Sequence, residues 1–205
     1  MLAVILAGGK GTRISEYTKS IPKPMIKIGN KPIIEHIINI YFKYGVKKII
    51  IAAGYKFKII KSHFKKNKKV IVVNTGLNSL TGLRIKKLSK IIGNNKFFLT
   101  YGDGLSNINI KKLLQAHNKS KKIATMTIVH PPARFGEVVY KKNLITSFEE
   151  KPQLQKGWIN GGFFVFESDI LNRLESDHTV LESYPLESLS KEGQLKAYKH
   201  DGFWY

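Results

Sequence analysis

The chain contains no cysteine. That excludes a disulfide framework, a thiolate nucleophile and a cysteine-based zinc site, and it fits a reducing compartment. Long apolar runs are missing as well, and none approaches the ~20 residues of a bilayer-spanning helix. The opening "LAVILAGG" is too short for the hydrophobic region of a secretion signal, and no basic segment precedes it. The expectation is a soluble, cytoplasmic protein without a membrane partner. Acidic residues are few, 14 against 35 basic ones, so the formal net charge is +21. Arginine is scarcer still: it supplies 4 of those basic residues and lysine 31. The six histidines, at positions 36, 63, 117, 130, 178 and 200, show no metal-ligand spacing and read as helix-surface or loop residues.

The positive charge raises the question of a nucleic-acid partner. The lysines are spread along the chain and form no dense stripe interleaved with aromatics, which a single-strand binder needs. With 26 Ile and 13 Asn beside them, they match the amino-acid usage of an AT-rich genome. Nucleic acid is therefore not the expected partner; the field attracts small polyanions such as nucleotides, at salt-sensitive rates. A retained Arg offers what Lys lacks, a rigid fork for bidentate phosphate contacts. Arg13, Arg84 and Arg134 fall within motifs, whereas Arg173 reads as helix surface.

With 205 residues and a 42% hydrophobic fraction, the chain has material for one well-packed domain. Up to about residue 130, apolar strands alternate with amphipathic helices. "AVILAGG", "VKKIIIAAG", "KKVIVVNTG", "KFFLTYGDG" and "IATMTIVHPP" read as buried strands, and "KPIIEHIINIYFKYG", "FKIIKSHFKKN", "LTGLRIKKLSKIIG" and "NIKKLLQAHNKSKK" as helices. The alternation predicts an α/β fold, a Rossmann-like open, mixed but mostly parallel sheet with helices on both faces. From residue 134 the rhythm changes. "FGEVVY", "LITSFEEKP" and "NGGFFVFES" read as strands without helices between them, an antiparallel extension of the sheet. "DILNRLES" and "YPLESLSKEG" read as late helices, and "QLKAYKHDGFWY" as a last strand.

The first strand ends in Gly8, Gly9 and Gly11. In open α/β sheets ligands bind beyond the carboxyl ends of the strands, and glycines there let backbone N–H groups approach a phosphate. The loop is not a Walker A loop, and Ile14 stands where a dinucleotide-binding G-x-G-x-x-G needs its third glycine.

"LAGGKGTR" followed by "PKPM" resembles the signature of the sugar-phosphate nucleotidylyltransferases. The likeness runs through "NTGLNSLTGLRIKK", "TYGDG", "RFGEV", "FEEKP", "INGGFFVF" and "HDGFW" in the family's order, over essentially the whole chain. The wording of "SLTGLR", "YGDG", "INGGFFVF" and "HDGFW" is most similar to the glucose-1-phosphate cytidylyltransferase branch. The resemblance implies the nucleotide-diphospho-sugar transferase fold, with a nucleotide-binding half to about residue 130 and a sugar-binding half from 131 to 205. It implies transfer of a nucleotidyl group from a triphosphate, CTP favoured, to a sugar 1-phosphate, glucose 1-phosphate favoured, with release of pyrophosphate in polysaccharide biosynthesis. No protein nucleophile is required, since such chemistry rests on positioning and charge neutralisation.

By the same resemblance, Leu6, Ala7, Gly8, Gly9, Gly11 and Thr12 would cradle base, ribose and phosphates. Arg13 would neutralise the leaving pyrophosphate. Lys23, bracketed by Pro22 and Pro24, would contact the reacting phosphates. Ser79, Arg84 and Gly102 would complete the nucleotide site, and Asp103 would hold Mg²⁺, which prefers oxygen ligands and bridges phosphates. Lys151 would bind the acceptor phosphate and Glu150 the sugar hydroxyls, with Asn160 and Gly161 against the sugar and Arg134 and Gly136 at the pocket's border. Trp158 and Trp204 read as packing residues. The family's second metal-binding Asp follows the "GFW" strand, beyond Tyr205, and Asp201 lies before that motif. The expectation is a C-terminally shortened sugar half, weaker metal binding and slower turnover. Two alternatives stay open: another triphosphate or phosphorylated acceptor, or a nucleotide-binding regulatory subunit without catalysis. A homo-oligomer is compatible with either.

Overall fold

The computed structural model describes residues 1–11, 18–131, 136–150, 157–174 and 178–205. In chain order its strands are β1 (Leu2–Ala7), β2 (Lys27–Ile28), β3 (Lys31–Pro32), β4 (Lys48–Ala53), β5 (Val70–Asn74), β6 (Phe97–Tyr101), β7 (Ala124–Val129), β8 (Glu137–Lys141), β9 (Leu144–Glu149), β10 (Ile159–Phe166) and β11 (Leu195–Lys199). The helices are α1 (Ile33–Lys43), α2 (Phe57–Phe64), α3 (Thr81–Lys86), α4 (Ser89–Ile92), α5 (Ile110–Ser120) and α6 (Tyr184–Lys191).

Seven strands form one open sheet in the order β11-β7-β10-β6-β1-β4-β5. β1 pairs in parallel with β4 and β6, β4 with β5, and β11 with β7; β10 runs antiparallel between β6 and β7. The sheet is mixed and mostly parallel, as the alternation predicts.

The continuous apolar runs follow from burial on both faces. Ile5, Ile49, Ile51, Phe98, Phe163 and Val165 face one core, closed by Ile34, Ile37 and Tyr41 of α1, Ile60 and Phe64 of α2 and Leu113 of α5. The alternate positions, among them Val4, Ile50, Leu99, Phe164 and Phe166, face a second core under Ile85, Leu88, Ile92 and Leu189. Each fully buried Ile or Phe contributes roughly 1.5–3 kcal/mol of hydrophobic stabilisation.

Three expectations need correction. The three segments after residue 134 do not extend the sheet together. β10 enters it between β6 and β7, while β8 and β9 pair only with each other. The reason is patterning: six of the eight residues of β10 are buried, whereas the side chains along β9 are all exposed. The stretch "LTGLRIKKLSKIIG" breaks into α3 and α4, because Leu88, buried in the second core, leaves helical geometry at φ −96° and ψ 1°. The residues of "DILNRLES" within the described range form a 3-10 turn, Ser168–Arg173, with Ile170 and Leu171 buried.

Candidate active site

A cleft of about 430 Å³ opens at the carboxyl ends of β1 and β6. Its floor is Leu6, Ala7, Gly8, Gly9 and Gly11. One wall is Lys23 and Pro24, and the wall opposite is Ser79, Leu80, Thr81 and Arg84. Tyr101, Gly102 and Asp103 close the far side. Every described residue assigned from sequence to nucleotide or metal therefore faces one cavity. Thr12 and Arg13 lie outside the described residues.

Arg84 organises the floor. It is buried, and its guanidinium donates to the Thr75 hydroxyl at 2.7 Å and to the carbonyls of Gly76 at 2.8 Å, Gly8 at 3.0 Å and Leu77 at 3.3 Å. Burial lowers its pKa; the ring of acceptors is what a buried cation requires. The sequence reading places Arg84 beside the nucleotide; the structure also makes it the tie between the glycine loop and the turn after β5. Ser79 is buried; its hydroxyl donates to the Thr75 carbonyl and accepts from Lys87 Nζ at 3.1 Å. Leu80, not Ser79, caps α3, and no side chain accepts there.

Lys23 starts a 3-10 turn, Lys23–Met25, preset by Pro22 at φ −70°. The turn aims Lys23 across the cleft, where its ammonium meets the Asp103 carboxylate at 2.5 Å with both side chains more than a third exposed. Gly102, between Tyr101 and Asp103, has no room for a side chain: a Cβ would come within 2.9 Å of the Leu6 carbonyl and 3.1 Å of Pro24.

Beyond Gly102 a chain of polar contacts runs from Asn160 through Tyr101 to Glu182. Asn160 accepts from the Gly162 amide at 2.8 Å and donates to the Tyr101 hydroxyl at 3.2 Å. Tyr101 in turn donates to Glu182 Oε1 at 2.6 Å, and Thr81 donates to Glu182 Oε2 at 2.7 Å. Burial, reinforced by the Glu182 charge, raises the Tyr101 pKa, so the phenol stays protonated. Glu182 thus joins the cleft wall at Thr81 to the strand ends at Tyr101 and Asn160. Gly161 is packed inside the sheet, where a Cβ would sit 2.9 Å from Val129, and its carbonyl accepts from Trp204 at 2.7 Å. Trp204 is held in place by this bond, whereas Trp158 packs at a tilt against His130, with ring centroids 3.8 Å apart. Gly136 and Glu150 lie at the base of the β8–β9 hairpin, away from the 430 Å³ cleft. Arg134 and Lys151 lie outside the described residues.

Tyr101 and Thr81 line the cleft and Glu182 joins them, and the sequence reading assigned a role to none of the three. Tyr101 stood inside the quoted "TYGDG"; Glu182 had no local signal, since its partners are 81 and 101 residues away in sequence. One histidine also departs from expectation. His117 is buried, with Nδ1 2.9 Å from Thr125 Oγ1 and Nε2 3.1 Å from Glu167. Among the described residues no group of three or more His, Cys, Asp or Glu could hold a metal ion by itself. Among the described residues Asp103 is the one carboxylate lining the cleft, a hard oxygen donor beside the place where phosphates would lie. That fits Mg²⁺, which takes one or two protein carboxylates and completes its shell with phosphate oxygens and water.

The nucleotidyl transferase family model matches residues 2–205. The glucose-1-phosphate cytidylyltransferase of Salmonella typhimurium is 39% identical over 230 residues, an alignment covering 100% of this chain and 90% of that protein. A probable glucose-1-phosphate cytidylyltransferase of Bacillus subtilis is 40% identical over 229 residues, again covering 100% of this chain and 90% of the relative. Among solved structures, HddC from Yersinia pseudotuberculosis complexed with GMP-PN superposes with a TM-score of 0.78 at 27% identity, covering 100% of this chain and 92% of that one.

Proposed function

The chain belongs to the nucleotidyl transferase family, and on that premise we propose that it makes CDP-glucose from CTP and glucose 1-phosphate with Mg²⁺ as cofactor. The observation that carries this reading is the cleft itself: glycine loop, Lys23 and Asp103 converge at the carboxyl ends of adjacent parallel strands. The choice of CTP and glucose is supported by the two cytidylyltransferase relatives at 39% and 40% identity.

In this reaction a phosphate oxygen of glucose 1-phosphate attacks the α-phosphorus of CTP in line. The new P–O bond forms as the bond to the bridging oxygen of the β-phosphate breaks, and pyrophosphate leaves. The backbone of Gly8, Gly9 and Gly11 lies open to the triphosphate. The Lys23 ammonium, on leaving Asp103, neutralises charge at the reacting centre. Asp103 would hold Mg²⁺, whose charge would be shared over the phosphate oxygens. Tyr101, held by Glu182 and by Asn160, stands on the side of the cleft where the acceptor would lie and would position it.

The test is pyrophosphate release by purified protein with Mg²⁺ and glucose 1-phosphate, CTP being compared with UTP, GTP, dTTP and ATP. Release with CTP, abolished by Asp103→Ala, is the expected result. Release with another triphosphate would reassign the base, and release with none across a range of sugar 1-phosphates would overturn the proposal.

A further inference from the structure

The charges of this chain are segregated. Between Glu35 and Asp103 there is no acidic residue, while the same stretch holds 14 Lys and Arg84; 11 of the 14 acidic residues lie from Glu137 onward. A compositional preference for Lys accounts for the total but not for this separation.

The fold gathers seven of those lysines at one pole. Lys43 ends α1, Lys47 and Lys48 stand at the start of β4, Lys65 and Lys66 follow α2, and Lys68 and Lys69 lead into β5. All seven are exposed. The Ile49 amide donates to the Lys69 carbonyl at 2.9 Å, which holds the two strand starts side by side. A groove of about 1110 Å³ there includes Lys47, Lys66, Lys68 and Lys69 in its lining, together with Phe42 and His63. Among the described residues its one carboxylate, Glu35, is occupied by His63 at 2.5 Å. Lys43, in the last turn of its helix, also complements a helix dipole, but Lys47, Lys66, Lys68 and Lys69 belong to no helix. The candidate active site opens at the carboxyl ends of β1 and β6, which lie in the same sheet with β1 parallel to β4, so it sits at the opposite end of the strands, about 20 Å away along a six-residue strand.

We propose that this basic pole docks on an anionic lipid bilayer, holding the protein at a membrane surface with its cleft turned toward the aqueous phase. Such a contact needs no spanning segment, and no helix among the described residues is long and apolar enough to cross a membrane. The chemistry of the pole favours lipid over nucleic acid. Its cations are Lys, a hydrated point charge on a flexible stem, and among the described residues neither Arg84 nor Arg173, the better bidentate phosphate readers, belongs to it. Its aromatics are not free stacking platforms: Phe42 is half-buried under Lys69 and Tyr44 under Lys43, each at 5.9 Å. Mobile charges over a broad face suit a fluid array of phosphate head groups.

The test is co-sedimentation with vesicles of one part phosphatidylglycerol to two parts phosphatidylcholine at physiological ionic strength. Pure phosphatidylcholine vesicles and a duplex DNA serve as the comparisons. One variant carries Lys47→Gln, Lys66→Gln, Lys68→Gln and Lys69→Gln. A second carries Lys27→Gln, Lys31→Gln, Lys111→Gln and Lys112→Gln, the same change in net charge placed elsewhere. Thermal melts establish that both fold. The expected result is binding to the anionic vesicles alone, weakened on the order of a hundredfold in the pole variant and several-fold at most in the second. No binding to anionic vesicles by the unaltered chain would overturn the proposal. So would equal weakening in both variants, which reduces the effect to net charge, or duplex binding that the pole variant selectively loses, which reassigns the face to nucleic acid.

Discussion

The Arg84 guanidinium lies against the backbone of Gly8, donating to its carbonyl at 3.0 Å and filling the space that a Cβ there would need, with Cζ only 2.0 Å from that position. The glycine at the end of β1 is therefore required from below, by a buried cation, as well as from above, where the cleft opens. Gly8→Ala must expel the guanidinium and strand several carbonyls. Leaving such groups unpaired costs about 1–3 kcal/mol each at most, so a total loss of roughly 2–5 kcal/mol is expected. The check is a thermal melt alongside CTP binding by calorimetry. Arg84→Lys should lose stability too, since one ammonium cannot reach acceptors arrayed around a planar fork.

Lys23 and Asp103 should behave in the opposite way. Their contact at 2.5 Å joins two side chains each more than a third exposed, and an exposed pair contributes about 0–1 kcal/mol to stability. Lys23→Met and Asp103→Asn should leave the melting temperature nearly unchanged. Each should lower kcat by roughly 10²–10³, the scale seen when one charge-stabilising group is removed. Asp103→Asn alone should also raise the Mg²⁺ concentration needed for half-maximal rate. A large stability loss in either variant would show the pair to be architectural.

These two predictions mark how far local sequence reaches. Gly8, Lys23, Gly102 and Asp103 stand in short stretches whose chemistry is local: a glycine turn, a proline-bracketed lysine, a carboxylate at a strand end. The structure sets all four around one cleft. The acceptor side is not local. Asn160 reaches the cleft only through Tyr101, and Gly161 serves sheet packing against Val129, a fact fixed by the insertion of β10 beside β7. Strand order is a long-range property: of the three consecutive strand segments β8, β9 and β10, only β10 joins the seven-stranded sheet. His117 was readable: Ile110, Leu113 and His117 recur at the spacing of one helix face, and all three are buried.

Glu182 is the residue whose replacement best separates positioning from chemistry. It accepts from Thr81 on one wall and from Tyr101 on the other. Glu182→Gln keeps the volume but replaces one acceptor oxygen by a donor NH₂, so one of the two hydroxyls must turn away. The expected outcome is a tenfold to hundredfold fall in kcat/KM for the sugar phosphate, about 1.4–2.7 kcal/mol, with a smaller change for the triphosphate. Tyr101→Phe should reproduce the sugar-phosphate effect and spare the triphosphate. Equal losses for both substrates would mean that Glu182 merely holds the fold.

His117 should make stability depend on pH. Burial lowers its pKa below the ordinary 6.5, an effect that outweighs the opposing pull of Glu167. The folded protein thus holds His117 neutral while the unfolded chain protonates near 6.5. In the window just below that value the unfolded state binds more protons, so stability is full above about pH 6.5 and falls as pH drops toward the lowered pKa. Each unit of lowering corresponds to about 1.4 kcal/mol. Glu167 acts lower on the scale. Burial raises its pKa, but hydrogen bonds from Lys96 and His117 outweigh burial and leave it below 4.5, so its contribution disappears as pH falls through the carboxylate range. Urea denaturation from pH 7.5 to 5 should therefore show little change down to about pH 6.5 and a decline below it. His117→Gln, which retains hydrogen-bonding capacity without titrating, should be less stable at pH 7.5 but flatter across the same interval. An unchanged slope in that variant would place the acid sensitivity in other groups.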